Sequence, residues 1–244
     1  MAVELRLGTR KSPLALAQSG AIAAALEAAH PGLSVRLVPI DTAGDRTAGD
    51  LATLGGKGLF TAELEAGLLS GALDLAVHSL KDLPVALPPG LIIAAYPRRA
   101  DPSDALVSAT ASTLAALPAH ARVLTGSLRR RAQLLYRRPD LRVETLRGNV
   151  ETRLRRWRES GADAVVLATA GLERLNLLDL VPAHTLDPQA FLPAPGQGIL
   201  ALETPEGSAA EILCRALTDP ETARAATAER EVVRAFGGDC TLPL

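Results

Sequence analysis

Apolar positions along this chain fall into short runs whose spacing switches between the period of a strand and that of a helix. Leu5 to Leu7 and Val35 to Ile40 read as strands. Between them an alanine- and leucine-rich stretch opens at Ser12-Pro13, reads as helix to about Ala29 and closes at Pro31-Gly32. Phe60, Leu64 and Leu68 mark one face of a further helix, while Leu73 to Val77 and Leu91 to Ala95 predict buried strands. A Pro-, Arg- and Asp-rich stretch from Tyr96 to Pro102 interrupts the pattern, which then resumes. Arg122 to Thr125, Arg142 to Leu146 and Ala164 to Ala168 predict strands. Ser127 to Arg137 predicts a helix, as does the stripe of Val150, Leu154 and Trp157. A second interruption, Pro193-Ala-Pro-Gly-Gln-Gly198, precedes a last helix from about Pro220 to Phe236.

Strand–helix alternation predicts an α/β protein with parallel or mixed sheets covered by helices. Two such units joined by two crossings suggest two hinged domains of the periplasmic-binding-protein kind, with a ligand in the cleft. The expected boundaries are residues 1–97 with 198–217 for the first domain and 98–197 for the second. Of the 244 residues 48% are apolar but only six are aromatic, so the core must be built from Ala, Leu and Val. A net charge of −1 argues against a polyanion-binding molecule as a whole. No apolar run approaches the roughly 18 residues of a membrane helix and no basic leader precedes one, which predicts a soluble, intracellular protein without a membrane partner. Two cysteines are too few for a disulfide framework, and four scattered histidines show no metal-ligand spacing, so no metal is expected.

Polar chemistry gathers where the strands end. Leu73 to Val77 runs into His78, Ser79, Lys81 and Asp82, and Pro84 blocks a continuing helix. The carboxyl end of a buried strand is where open α/β sheets hold ligands. Among 26 basic residues only Lys11, Lys57 and Lys81 are lysine, each in a Gly-, Ser- or Asp-rich segment. Gly8-Thr-Arg-Lys-Ser-Pro13 places Ser12 as an N-cap and Pro13 at the first helical position, and the free amides there suit an anion beside Arg10 and Lys11. A plain cap would account for Ser12 and Pro13 but not for Arg10. Gly55-Gly-Lys-Gly58 is not a nucleotide loop, because Leu51 and Gly58 stand where glycine and Ser or Thr are required. It reads as a loop bringing Lys57 over a cleft, or as a solvated turn.

From Arg122 to Arg158 there are twelve arginines against Asp140, Glu144 and Glu151. Ser127-Leu-Arg-Arg130 and Arg147-Gly-Asn-Val150 both stand at strand-to-helix junctions, and arginine's planar fork matches carboxylates, so a ligand with several carboxylates is expected. Arg137, Arg138, Arg155, Arg156 and Arg158 read as a solvated helix face. A nucleic-acid binder would need stacking aromatics, and this stretch offers only Tyr136 and Trp157. Gly196-Gln-Gly198-Ile-Leu-Ala201 has dinucleotide-fingerprint spacing, but its glycines precede a strand instead of following one. Phe236-Gly-Gly-Asp-Cys240 runs a helix into glycines that expose a thiol, whereas Cys214 lies in apolar sequence and reads as structural.

In this order, Gly8-Thr-Arg-Lys-Ser-Pro-Leu-Ala-Leu, Gly55-Gly-Lys-Gly-Leu-Phe, Val77-His-Ser-Leu-Lys-Asp, Ser127-Leu-Arg-Arg, Leu146-Arg-Gly-Asn-Val, Pro195-Gly-Gln-Gly and Cys240 resemble the porphobilinogen deaminase (hydroxymethylbilane synthase) family along nearly the whole chain. The resemblance implies a cytoplasmic, monomeric transferase of porphyrin and heme biosynthesis. It would condense four molecules of porphobilinogen head to tail into hydroxymethylbilane with release of ammonia. The chain would grow on a dipyrromethane cofactor joined to Cys240. Asp82 matches the family's catalytic aspartate. Cofactor contacts fall on Lys81, Asp82, Thr125, Ser127, Arg129 and Arg130, with Arg147 and Gly148. Substrate contacts fall on Arg10, Ser12, Lys57, Ser79, Arg153 and Arg174, with Gln197. This sequence departs from the family pattern at Thr53 (often lysine), Gly126 (often serine) and Asp239 (usually glycine). The family continues into a third small α/β domain, so residues 218–244 are expected to open it. A non-enzymatic two-domain anion binder would share the fold and the arginines without needing Asp82 or an exposed Cys240. A nucleic-acid binder would need a continuous outward basic face from Arg122 to Arg158.

Overall fold

The computed structural model describes residues 3–43 and 61–237, so the expectations at Lys57, Thr53, Phe60, Asp239 and Cys240 lie outside the described residues. The chain forms two compact units, one from the residues up to Ala100 and from Ile199 onward, the other from Asp101 to Gly198. In chain order the first unit contributes β1 (Val3–Arg10), α1 (Pro13–Ala29), β2 (Leu33–Ile40), α2 (Ala62–Leu69), β3 (Leu75–Ser79) and β4 (Leu91–Ala95). The second contributes β5 (Asp104–Val107), β6 (Arg122–Leu124), α3 (Leu128–Arg137), β7 (Arg142–Glu144), α4 (Val150–Ser160), β8 (Ala164–Ala168), α5 (Thr169–Arg174) and β9 (Ala183–Thr185). The chain then returns to the first unit as β10 (Leu200–Pro205), α6 (Ala209–Cys214) and α7 (Pro220–Ala235).

Each unit is built on a five-stranded mixed sheet, ordered β2-β1-β3-β10-β4 in the first and β7-β6-β8-β5-β9 in the second. In both, the first three strands are parallel, and the fourth runs antiparallel to its neighbours on either side. That fourth strand is β10 or β5, the first strand after each passage between units. The cores are aliphatic, as the composition requires. Leu7, Leu26, Leu75 and Leu202 are fully buried in the first unit, and Leu106, Leu134, Val123 and Phe191 in the second. Each such side chain contributes about 1.5–3 kcal/mol of transfer free energy. Among the glycines, Gly8 allows α2 to pack on β1: a Cβ there would lie 2.5 Å from Leu73 Cδ1 and 2.9 Å from Leu64 Cδ2.

Several strand boundaries differ from the sequence expectation, β1 and β2 being longer and three others shifted or shorter. Strand β3 runs from Leu75 to Ser79 instead of Leu73 to Val77, because His78 and Ser79 pair with Ala201 and Leu200 of β10. The Leu73 amide instead donates to the Gly67 carbonyl at the end of α2, and its side chain packs with Leu64 and Leu68. Strands β6 and β7 are shorter than expected, since Thr125 and Leu146 leave the ladder to bond each other across the junction. Helix α7 groups with the first unit, where Ala226 is buried with Leu80, Leu83, Ile199 and Ala201. Arg99 grips Glu229 through its two terminal guanidinium nitrogens, and Arg230 donates to the carbonyls of Pro84 and Val85.

Candidate functional site

In the first unit the parallel strands β1 and β3 both end in polar residues. Past Thr9, the chain turns through Arg10 and Lys11 into α1. Thr9 is fully buried, accepts a hydrogen bond from the Ser19 hydroxyl at 2.8 Å and donates to the Ala15 carbonyl at 3.2 Å, which pins this turn to the helix. Ser12 caps the helix, its Oγ accepting from the Ala15 amide at 3.3 Å, with Pro13 in the first turn. Arg10 is half-buried, and exposed Lys11 pairs with Asp41 at 2.6 Å. Ser79 closes β3 and accepts from Gln18 Nε2 at 3.2 Å, so α1 reaches across to the neighbouring strand end.

A single 3-10 turn, Leu80–Asp82, follows Ser79. Its register is set by apolar anchors, since Leu80 and Leu83 are buried and the Leu80 amide donates to Ile199. Lys81 is left half-buried and Asp82 exposed. On the other face of β3, beneath α2, His78 Nε2 lies 3.0 Å from Glu203 Oε2, both side chains buried. Burial also raises the Glu65 carboxyl on α2 above its ordinary value, more than the Thr61 hydroxyl lowers it.

The second unit repeats the strand-to-helix junction with a different charge arrangement. Thr125 Oγ1 accepts from the Ser127 amide at 3.2 Å, and Ser127 Oγ caps α3 by accepting from the Arg130 amide at 3.3 Å. Gly126 lies against the next junction so closely that a Cβ would stand 2.5 Å from the Leu146 carbonyl oxygen, so serine there would require the backbone to shift.

Arg129 and Arg130 then turn inward, only 7% and 5% exposed. Asp104, fully buried at the start of β5, accepts from Arg129 Nη2 at 2.8 Å on one oxygen and from Arg130 Nη2 at 2.7 Å on the other. Gln197, between the positive-φ residues Gly196 and Gly198, donates to the same Asp104 oxygen as Arg130 at 2.8 Å. The remaining terminal nitrogens reach main-chain carbonyls, Arg129 Nη1 that of Leu192 and Arg130 Nη1 that of Val166 at 3.1 Å. Both Nε–H groups are buried without a hydrogen-bond partner. Burial alone would raise the Asp104 carboxyl, but the guanidinium groups of Arg130 and Arg129 outweigh it and hold it below the usual carboxylate range.

Nearby, Asn149 caps α4 by accepting from the Thr152 amide at 2.8 Å, and Gly148 takes φ +115° ahead of it. Arg147 is exposed there, and half-buried Arg153 donates from Nε to the Gly148 carbonyl at 2.7 Å. Arg174, at the end of α5, donates to the Gly198 carbonyl at 2.7 Å, and burial lowers its guanidinium from its ordinary value.

The structure thus gathers Arg10, Ser12, Ser79, Lys81 and Asp82 at strand ends of the first unit, and Thr125, Ser127, Arg129, Arg130 and Gln197 around one junction of the second. Sequence reading missed Asp104, whose signal was a lone acid opening the apolar run Ala105-Leu-Val107. It also missed Gln18. Arg138 does not belong to a solvated face: it pairs with Asp140 and donates to the carbonyls of Leu114, Leu117 and Pro118, stapling the preceding loop. Arg155, Arg156 and Arg158 are exposed as expected. Trp157 is buried, its Nε1 donating to Ala162, which leaves Tyr136 as the stretch's exposed aromatic. Cys214 is buried, its thiol pushed up to about 12 by burial. Among the described residues no helix is long and apolar enough to cross a membrane, and no cluster of three or more acidic, histidine or cysteine side chains is arranged to hold a metal ion.

The family model for the dipyromethane cofactor binding domain of porphobilinogen deaminase matches residues 5–212. The chain belongs to the porphobilinogen deaminase family. It is 52% identical to the porphobilinogen deaminase of Syntrophotalea carbinolica over 98% of this chain and 76% of that protein. Identity to the Rubrobacter xylanophilus porphobilinogen deaminase is 51%, over 100% of this chain and 79% of that one. Among solved structures, the methionine binding protein MetQ superposes with a TM-score of 0.55 at 12% identity, covering 93% of this chain and 94% of that one. A nutrient binding protein from Burkholderia cenocepacia gives 0.51 at 15%, covering 95% and 96%. At such identities the likeness establishes a periplasmic-binding-protein-like fold and nothing about ligands. The donor set fits the family's cofactor, a group bearing several carboxylates: the buried Arg129 and Arg130 bring two positive charges against one from Asp104, and each keeps an unpartnered Nε–H.

Proposed function

We propose that this chain is a hydroxymethylbilane synthase, which joins four molecules of porphobilinogen head to tail and yields the linear tetrapyrrole hydroxymethylbilane. Its relationship to porphobilinogen deaminases at about half identity along nearly its whole length carries this reading. In each condensation the aminomethyl carbon of one pyrrole bonds to the α-carbon of another. The C–N bond breaks, nitrogen leaves as ammonia and the α-hydrogen leaves as a proton. When the finished tetrapyrrole is released, the C–C bond at its terminal methylene breaks, water supplies the hydroxyl there and a proton returns to the α-carbon left behind.

Positive charge develops on the pyrrole as ammonia departs. Asp82, on the turn anchored by Leu80 and Leu83, accepts the ring N–H hydrogen bond and stabilises that charge, an interaction strongest in the transition state. Arg10, Ser12, Lys57, Ser79, Arg153, Arg174 and Gln197 take up the acetate and propionate groups of the substrate, each pyrrole carrying two. Dipyrromethane, joined by thioether to Cys240, supplies when bound the pyrrole α-carbon from which the product is built. Thr125, Ser127, Arg129, Arg130, Arg147 and Gly148, with Lys81 and Asp82, would hold it.

The same reading makes the enzyme a cytoplasmic monomer of porphyrin and heme formation, whose partner is its small-molecule substrate and neither nucleic acid nor membrane. Residues from 218 onward open its cofactor-attachment domain. Incubating the full-length protein with porphobilinogen tests the proposal. Peptide mass mapping is expected to find a dipyrromethane adduct on Cys240 and none on Cys214, with colour in acidic aldehyde reagent. Active enzyme with an unmodified Cys240 overturns it.

A further inference from the structure

We propose that Asp104 is the positioning residue of the carboxylate-binding junction, fixing the buried arginines so that one further carboxylate, the ligand's, completes their charge. This rests on the functional reading above and assigns a role to a residue that neither touches the ligand nor lies near Arg129 and Arg130 in sequence.

Geometry makes the argument. The carboxylate of Asp104 divides its two oxygens between two guanidinium groups, and Gln197 Nε2 locks it from a third side while donating to the carbonyls of Pro102 and Ser103 at 2.7 and 3.2 Å. Leu192 and Val166 take the opposite terminal nitrogens. Each guanidinium is therefore held at both ends, which fixes the direction of the edge that carries its Nε–H. Those two edges are the unsatisfied donors of the cluster. Arginine does not shed its proton, so both cations persist in a nearly dry place where Asp104 offsets only one of them. Buried charge and buried donors without partners are costly, and a ligand carboxylate relieves both at once. Strand β5 supplies the carboxylate because its pairing with β8 sets Asp104 opposite Ala168, at the ends of the two strands.

Two variants separate position from charge. Asp104→Asn removes the negative charge at nearly constant shape and makes the junction more cationic. Asp104→Glu keeps the charge and displaces it by one methylene. Apoprotein of each, shown folded by circular dichroism at the assay temperature, is incubated with porphobilinogen, and the mass of the Cys240 adduct is followed with time.

If Asp104 positions the arginines, both variants load slowly, on the order of a hundredfold below wild type. The Glu variant should do so with a melting temperature near that of wild type. Should Asp104→Asn not fold, Asp104→Glu carries the decision alone. Loading of Asp104→Asn at or above the wild-type rate would show that net positive charge suffices, and loading of Asp104→Glu at the wild-type rate would show that placement is immaterial; either overturns the inference. A wild-type protein that never acquires the adduct instead overturns the functional reading, so the two failures are distinguishable.

Discussion

Both units contain a parallel strand followed by a short turn and a serine-capped helix, β1 into α1 and β6 into α3, yet they treat charge at that junction in opposite ways. In the first unit Lys11 meets Asp41 at 2.6 Å with both side chains more than half exposed. In the second, Arg129 and Arg130 meet Asp104 at 2.8 and 2.7 Å with almost no exposure. Contact distances are nearly equal, so the difference lies in solvent. Water screens the first pair and leaves its ammonium able to exchange partners. Burial strengthens the second, removes its freedom, and makes every unmatched N–H costly. One plan of backbone thus gives an accessible ammonium past the end of β1 in the first unit and a rigid buried socket beside Ser127 in the second.

The sharpest way to break this comparison is to test whether chemistry and binding separate along the same line. Asp82→Asn removes an exposed carboxylate from a turn held by Leu80 and Leu83, so stability should change by no more than about 0.5 kcal/mol. Turnover should fall by roughly 10²–10³-fold, the scale for loss of one transition-state electrostatic partner. Porphobilinogen uptake and the Cys240 adduct should survive. Steady-state kinetics with adduct mass decides this, and near-normal turnover in that variant would remove Asp82 from its role.

The local half of this contrast was legible in the sequence and the long-range half was not. Ser12 with Pro13, and Ser127 before an arginine pair, announce capped helices because a cap is settled within four residues. Strand β5 is four residues long and β9 three, too short for periodicity to stand out, and both exist by pairing with segments far away in sequence. The arginine-rich stretch was read as recognising the carboxylates of a ligand, and the carboxylate that Arg129 and Arg130 meet in the structure is an internal one that no local pattern signalled. Asp104 lies 25 residues from Arg129 and 93 from Gln197, beyond any local pattern. Arg138 was misread for the same reason, since the carbonyls it staples belong to a loop about twenty residues upstream.

A second test compares the ion pairs directly. Breaking the buried pair with Asp104→Asn should cost on the order of 3–5 kcal/mol, because two guanidinium groups lose their counter-charge. Asp41→Asn, at the exposed pair, should cost less than about 1 kcal/mol. Acid should report the same asymmetry. Asp104 has a folded-state pKa below its unfolded value, so its stabilisation is present above the unfolded pKa of about 4 and is lost as pH falls through the folded one. Wild-type stability should therefore decline below about pH 4 more steeply than that of Asp104→Asn. Denaturant midpoints measured between acid and neutral pH check both claims. Equal losses at Asp41 and Asp104 would show that solvent exposure does not set the strength of these pairs.

The smallest expected effect belongs to the feature the units share. Ser12→Ala and Ser127→Ala each remove one acceptor from a helix N-terminus, which should cost about 1 kcal/mol, or roughly 2–4 °C in melting temperature for a chain of this size. Glycine at either position should cost only a few tenths of a kcal/mol. Capping is local, so the two losses should match despite the different burial of their surroundings. Yet Ser127 accepts from the amide of Arg130, the residue whose guanidinium is tied to Asp104, whereas Ser12 accepts from Ala15, which carries no charge. A loss at Ser127 several times that at Ser12, shrinking when measured in the Asp104→Asn background, would mean that the cap and the buried ion pair form one coupled unit. Equal losses in both backgrounds would confine the cap to the helix end and leave Asp104 with Gln197 and the main-chain carbonyls as the whole support of the arginine pair.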